Sequence, residues 1–162
     1  MQEKFTEKEL LSIGTDFLKE TFDMELLIPM KISRRMKSTF GAFRFNKNTG
    51  EPVDIRISGE LLKHHEERDI ISTVKHECVH YALYMLGKPF KDGEKFFEDT
   101  LEMYGIDSTM SKPYKGMSHL YTCTDCDNEF YRVRRIAHNG KHHRCPCGGK
   151  LDYAGQFMVG ND

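Results

Sequence analysis

Two histidines four residues apart flank a glutamate in the segment His76-Glu77-Cys78-Val79-His80. On an α-helix, residues at i and i+4 leave from one face a single turn apart. Two imidazoles so placed can share one Zn²⁺ at ~2.0–2.1 Å each. Glu77 then stands at the edge of the metal, within reach of a water that the zinc has made acidic enough to ionise near neutrality. It can take that proton and pass it to a departing amine. The pattern is therefore read as His-Glu-x-x-His hydrolytic chemistry, with His76 and His80 as ligands and Glu77 as general base and acid. A catalytic zinc also needs a third protein ligand and an open fourth position. Asp92, Glu94, Glu98 and Asp99 are the downstream carboxylates available, and Asp92 is favoured because it lies beside Gly93, where a loop can turn back. His64 and His65 are lesser candidates. Cys78 falls on the apolar stripe of the same helix and reads as a small core residue.

A second constellation follows. Cys123-Thr-Asp-Cys126 and Cys145-Pro-Cys147 are two close pairs. Four thiolates arranged in this way suit a tetrahedral structural zinc in a ribbon, and a module this small needs the metal to fold. The second pair is one residue short of Cys-x-x-Cys, so His142 and His143 are kept as substitutes for one thiolate. Around these cysteines lie Arg132, Arg134, Arg135, Lys141 and Arg144, with no acidic residue from Tyr131 to Leu151. Such a patch suits phosphate, and nucleic-acid contact is an expectation; a solvated strand face is the plainer alternative.

Several elements must carry these residues. Thr6-Glu7-Lys8-Glu9 has the form of a capping box, and apolar residues at helical spacing predict a helix over 6–22. Alternation predicts strands near 28–32, 41–45 and 53–58, the last two joined as a hairpin by the turn at 46–50. A helix capped by Asp69 is expected over 70–86 with the histidines on the side away from its apolar stripe, and another over 93–104. The formal net charge is −1, so global charge says nothing about partners. No apolar run spans a bilayer or follows the first residues as a secretory signal would, so a cytoplasmic location and no membrane partner are expected. An odd count of five cysteines, four of them clustered, speaks against a disulfide framework.

The order of these features, from the N-terminal helix and short sheet through His76-Glu77-Cys78-Val79-His80-Tyr81, Gly87-Lys88-Pro89, Asp92-Gly93 and Phe97 to a ribbon ending Cys147-Gly148-Gly149-Lys150-Leu151, resembles the SprT-like family. These are bacterial proteins with a metalloprotease domain related to that of the Spartan protease. The resemblance implies zinc on His76 and His80, catalysis by Glu77 and a role near DNA. In the family pattern the third ligand is a histidine before the next helix; here Asp92 stands at that place. The expected fold is α+β: helices on a small, mainly antiparallel sheet (a zincin-like minimal metalloprotease domain over 1–110), a linker over 111–118 and a zinc ribbon over 119–162. The expected function is a zinc-dependent metallopeptidase acting on protein, including DNA-associated protein, with one catalytic and one structural Zn²⁺. The alternative is a non-catalytic nucleic-acid-binding or regulatory protein working through its ribbon.

Overall fold

The structure is a computed structural model that describes residues 2–108 and 114–160. The chain divides into two compact units, Met1–Lys112 and Pro113–Asp162.

The first unit opens with helix α1 (Glu7–Phe22). Thr6 Oγ1 accepts the Glu9 amide and the Glu9 carboxylate accepts the Thr6 amide, so the capping box closes in both directions. Strand β1 (Met30–Ser33) follows, then β2 (Gly41–Phe45) and β3 (Pro52–Ser58). The turn between β2 and β3 is built by Asn46, whose side-chain oxygen accepts the Asn48 amide at 2.9 Å. The sheet runs β1-β3-β2, with β2 antiparallel to β3. β1 instead joins β3 in parallel, so this sheet is mixed where a mainly antiparallel one was expected. The register explains the choice: Met30 pairs with Ile55 and Ile32 with Ile57, which brings the apolar residues onto one core-facing side.

A short helix that the sequence pattern does not announce, α2 (Gly59–His64), is capped by the Ser58 hydroxyl. Helix α3 (Glu67–Met85) then crosses the unit. It begins ahead of Asp69, which lies within the first turn and is not the cap, because the Asp69 and Ile70 amides already bond to the Glu66 carbonyl. The expected one-sided burial is also replaced. Every residue from His76 to Leu83 is buried, polar face included, because α1 covers one side while β2 and helix α4 (Lys95–Met103) cover the other. Glu94 is the N-cap of α4, so Asp92 is not used as a cap.

The second unit is an antiparallel sheet ordered β5-β4-β6, from β4 (Gly116–Cys123), β5 (Glu129–Arg132) and β6 (Leu151–Val159). Residues 116–118, expected in a linker, pair with β6; residues 109–113 lie outside the described set. β5 ends at Arg132, so Arg134 does not alternate with it along a strand. Tyr121 is fully buried and its hydroxyl accepts the Ile136 amide at 2.9 Å. Among the described residues no helix is long and apolar enough to cross a membrane.

Gly14 sets the approach of α1 to the motif helix. A Cβ there would stand 3.0 Å from Cys78 Sγ and 3.0 Å from the Met30 methyl. We expect Gly14→Leu to lower unfolding stability by at least ~1–3 kcal/mol through overpacking, read as a fall in the urea midpoint. An unchanged midpoint would contradict this packing.

Candidate metal centre and cysteine cluster

His76 and His80 meet as the helical spacing demands. Their Nε2 atoms are 3.2 Å apart. Two ligands bound at ~2.0–2.1 Å with tetrahedral angles would stand ~3.3 Å apart, so the separation already suits one shared ion. The other ring nitrogens are committed. His76 Nδ1 donates to the Asp107 carbonyl at 3.0 Å, and His80 Nδ1 donates to the Phe90 carbonyl. A carbonyl can only accept, so each neutral ring carries its proton on Nδ1 and turns a bare Nε2 lone pair inward.

Asp92 completes the group. Its Oδ1 lies 3.0 Å from His76 Nε2 and 3.4 Å from His80 Nε2. Three electron-rich atoms therefore face one point, which is unfavourable unless a proton or a metal cation stands between them. The three residues form one of two groups, among the described residues, whose ligand atoms all lie within 4.8 Å of one another. The donor set, two imidazoles and a carboxylate, fits zinc. The remaining sequence candidates are occupied elsewhere. Glu94 accepts the Lys91 amide and Glu98 accepts the Gly93 amide, so both hold the loop that presents Asp92. Asp99 pairs with Lys95 at 2.6 Å. His64 faces Glu60 at 3.3 Å, and His65 packs on Phe40 in the core.

Electrostatics follow from this enclosure. Burial pushes the Glu77 carboxyl above its usual range, against the pull of His80 and His76. For His80, burial alone would lower the imidazole, but where no ion stands beside it the Asp92 carboxylate and the Glu77 charge favour a second proton, on Nε2, and the net shift is upward. The bond from His80 holds the Asp92 carboxyl below its ordinary value. Burial drives the Cys78 thiol far up, in keeping with an inert core residue.

Several contributors have no mark in the motif. Phe97, wholly buried, stacks on the His80 ring at 4.1 Å and meets His76 edge-on at 5.3 Å. The Phe43 backbone favours the ionised Glu77 carboxylate, weakly against its burial. Gly41 lies so close that a Cβ would be 2.7 Å from Glu77 Oε1. A glycine within a strand is the sequence signal that could have pointed to this close approach. Burial is not complete at the third member of the group: the Asp92 side chain is 54% exposed, and a cleft of about 360 Å³ between β2 and residues 90–92 is lined by Glu77, His80 and Asp92.

Comparison with known proteins places the chain in a family. The sequence model of the SprT-like family matches residues 9–105. The chain belongs to the SprT-like family. "Protein SprT-like" of Streptococcus mutans is 30% identical over 148 residues, covering 88% of this chain and 97% of that protein. The protein of the same name in Streptococcus pneumoniae is 31% identical, covering 85% and 93%. In Bacillus subtilis the value is 25%, over 89% and 95%. These alignments are longer than the 9–105 segment that the family model matches in this SprT-like chain.

In that second unit the four thiols converge as free cysteines. Cys123 and Cys147 are 3.5 Å apart at sulfur, and Cys126 and Cys145 are 3.6 Å apart. Thiolates at ~2.3 Å from one tetrahedral ion would be ~3.8 Å apart. The short second pair works because the chain folds tightly around it. Gly148 adopts a φ of 92°, its amide bonds to the Cys145 carbonyl, and the Cys145 amide bonds to the Gly149 carbonyl. Gly149 passes so near that a Cβ would stand 2.5 Å from Cys123 Sγ. His142 and His143 are not in the cluster; His142 packs on His138 instead. Amides of Asp125 and Cys126 draw the Cys123 thiol down to about 7. The Gly149 amide favours the Cys147 thiolate, yet the neighbouring sulfurs push Cys147 up to about 12. Four thiolates can thus coexist only around a cation.

Two metal ions per chain are therefore expected by elemental analysis of the purified protein. His76→Ala should lower the count to one, and so should Cys126→Ser. A count that is unchanged in either variant would contradict the corresponding group.

Proposed function

We propose that this protein is a zinc-dependent metallopeptidase of the His-Glu-x-x-His type, with residues 1–110 as the peptidase domain and 119–162 as a zinc-ribbon module. One observation carries the reading: two imidazoles with bared Nε2 atoms and a half-exposed carboxylate converge beside a buried glutamate at the floor of a cleft. Family membership supports it. A zinc ion held by His76, His80 and Asp92 would supply acidification of a bound water and polarisation of the scissile carbonyl.

The chain's own residues account for the rest. Glu77 accepts a proton from the attacking water as its oxygen bonds to the carbonyl carbon. It returns a proton to the amine nitrogen as the C–N bond breaks. Its burial beside the cleft keeps bulk water from taking that proton. The close backbone of Gly41 limits where the carboxylate sits. β2 is an edge strand of its sheet, and an extended peptide can add to such an edge, its backbone laid along the cleft.

A second reading concerns partners. In the ribbon unit a groove of about 600 Å³ is lined by His138, Lys141, Arg144, Lys150 and Tyr153, with Asp152 also present. The Arg135 guanidinium lies 4.6 Å above the Tyr153 ring. Cations interleaved with an aromatic face suit single-stranded nucleic acid, and protein held on DNA is the substrate class this would favour. The members are not equal. Arg144 turns back onto the Lys141 and His143 carbonyls, and Arg132 onto the Tyr131 carbonyl, whereas the Lys141 and Lys150 side chains line the groove and Arg134 is exposed.

Glu77→Gln should reduce turnover of a casein or peptide substrate by at least ~10²-fold, the scale of a lost general base, with both metals retained. Full activity in that variant would overturn Glu77's role. Activity absent from the metal-loaded wild-type chain as well would leave the ribbon's binding role as the better account. For that role, fluorescence anisotropy with a single-stranded oligonucleotide should show affinity falling with salt. Exchanging Lys141 and Lys150 for Glu should flatten the slope by ~0.7 per lost phosphate contact. A salt-independent affinity would contradict the groove.

A further inference from the structure

The two imidazoles of α3 are held by separate supports. The His80 partner, the Phe90 carbonyl, belongs to the loop that Glu94 and Glu98 brace. The His76 partner, the Asp107 carbonyl, lies beyond α4. On one side Asp107 follows Ile106, whose amide bonds to the Leu101 carbonyl at 2.9 Å. On the other it is fastened to Ser72 twice: its amide donates to Ser72 Oγ at 3.1 Å, and the Ser72 hydroxyl donates to its carboxylate Oδ2 at 3.3 Å. The pair is reciprocal, as in a capping box, but it joins residues 35 apart in sequence. Ser72 is four residues before His76, hence on the same face of α3 one turn earlier. One helix thus carries both the ring and the fastener of the carbonyl that orients it.

We propose that Ser72 and Asp107 are positioning residues for the metal centre, Ser72 clamping Asp107 so that its carbonyl keeps the His76 proton on Nδ1 and leaves Nε2 free for metal. The inference rests on the metallopeptidase reading above and adds residues that the His-Glu-x-x-His motif does not contain. A neutral imidazole without a partner favours the proton on Nε2, the atom the ion needs. The clamp therefore selects the tautomer and fixes the ring plane in advance. Its surroundings give it something to work against. A cavity of about 20 Å³, room for roughly one water, is lined by Phe40, Ser72, Thr73, His76, Glu77 and Asp107. Loosening the clamp gives solvent a place from which to compete for the Asp107 carbonyl.

The test uses the full chain with Ser72→Ala and the conservative Ser72→Thr, which keeps the hydroxyl. Zinc affinity at the helix site is measured by competition with a chromogenic chelator, with His76→Ala giving the ribbon's own contribution. In parallel, ¹⁵N NMR at alkaline pH reads the ring tautomers after a mild chelator has emptied the helix site. Ser72→Ala should weaken zinc binding by ~10-fold or more, as losses of such outer supports do. It should shift the His76 ring toward the Nε2–H tautomer and leave His80, held independently, unchanged. Ser72→Thr should restore both readings. The proposal is overturned if folded Ser72→Ala keeps wild-type affinity and tautomer. It is equally overturned if both rings change together and Ser72→Thr restores neither, the mark of general loosening. Should the wild-type helix site take no zinc while the His76 tautomer still depends on Ser72, the clamp stands and only the metal reading fails.

Discussion

Two backbone carbonyls decide which nitrogen each imidazole of α3 offers. Asp107 and Phe90 take the Nδ1 protons of His76 and His80, and the two Nε2 lone pairs are left facing each other and Asp92. Such an arrangement is costly in a protein interior unless positive charge fills the gap. The same requirement shapes the neighbourhood. Glu77 is buried beside the rings, where desolvation opposes its ionisation and positive charge gathered at His80 and His76 favours it. Two side chains that could hold a metal and a buried carboxyl between them thus arise from one turn of helix whose polar side has been taken out of water.

Keeping that turn buried yet reachable depends on residue size. Phe97 stacks flat on His80 and meets His76 edge-on, and Gly41 leaves room beside Glu77, where any side chain would collide with the carboxylate. Asp92 remains half exposed because it comes from a loop braced by Glu94 and Glu98, not from a packed helix. Two ligands are therefore rigid and the third lies at the mouth of the cleft. The cysteine unit solves the converse problem. Its core is small, around Leu120 and Tyr121, and the thiols close it at one end. Glycines at 148 and 149 let a pair spaced too closely for the usual turn reach the same point.

Local signals in the sequence located much of this. The capping box at Thr6, the β2–β3 hairpin, the helical spacing of His76 and His80 and the pairing of the cysteines depend on neighbours within a few residues, and each is found where the pattern points. Asp92 was legible as a carboxylate in a turn, although its choice over Glu94 and Glu98 rests on amides that only the folded loop brings to those two. What was not legible comes from distant parts of the chain. No pattern marks the Asp107 carbonyl as a partner of His76. The two-sided burial of α3 follows from α1, β2 and α4 closing around it, and helix amphipathicity understates a helix covered on both sides. The early start of α3 and the presence of α2 escaped because Ser58 and Glu66 are weak signals beside the more obvious Asp69.

The most direct test is diffraction at the zinc absorption edge from crystals of the full chain grown with zinc. We predict an anomalous peak between His76 Nε2, His80 Nε2 and the Asp92 carboxylate, with both Nδ1 atoms still on the Asp107 and Phe90 carbonyls. No peak at that point, or a peak reached only by rings turned to present Nδ1, would contradict the account.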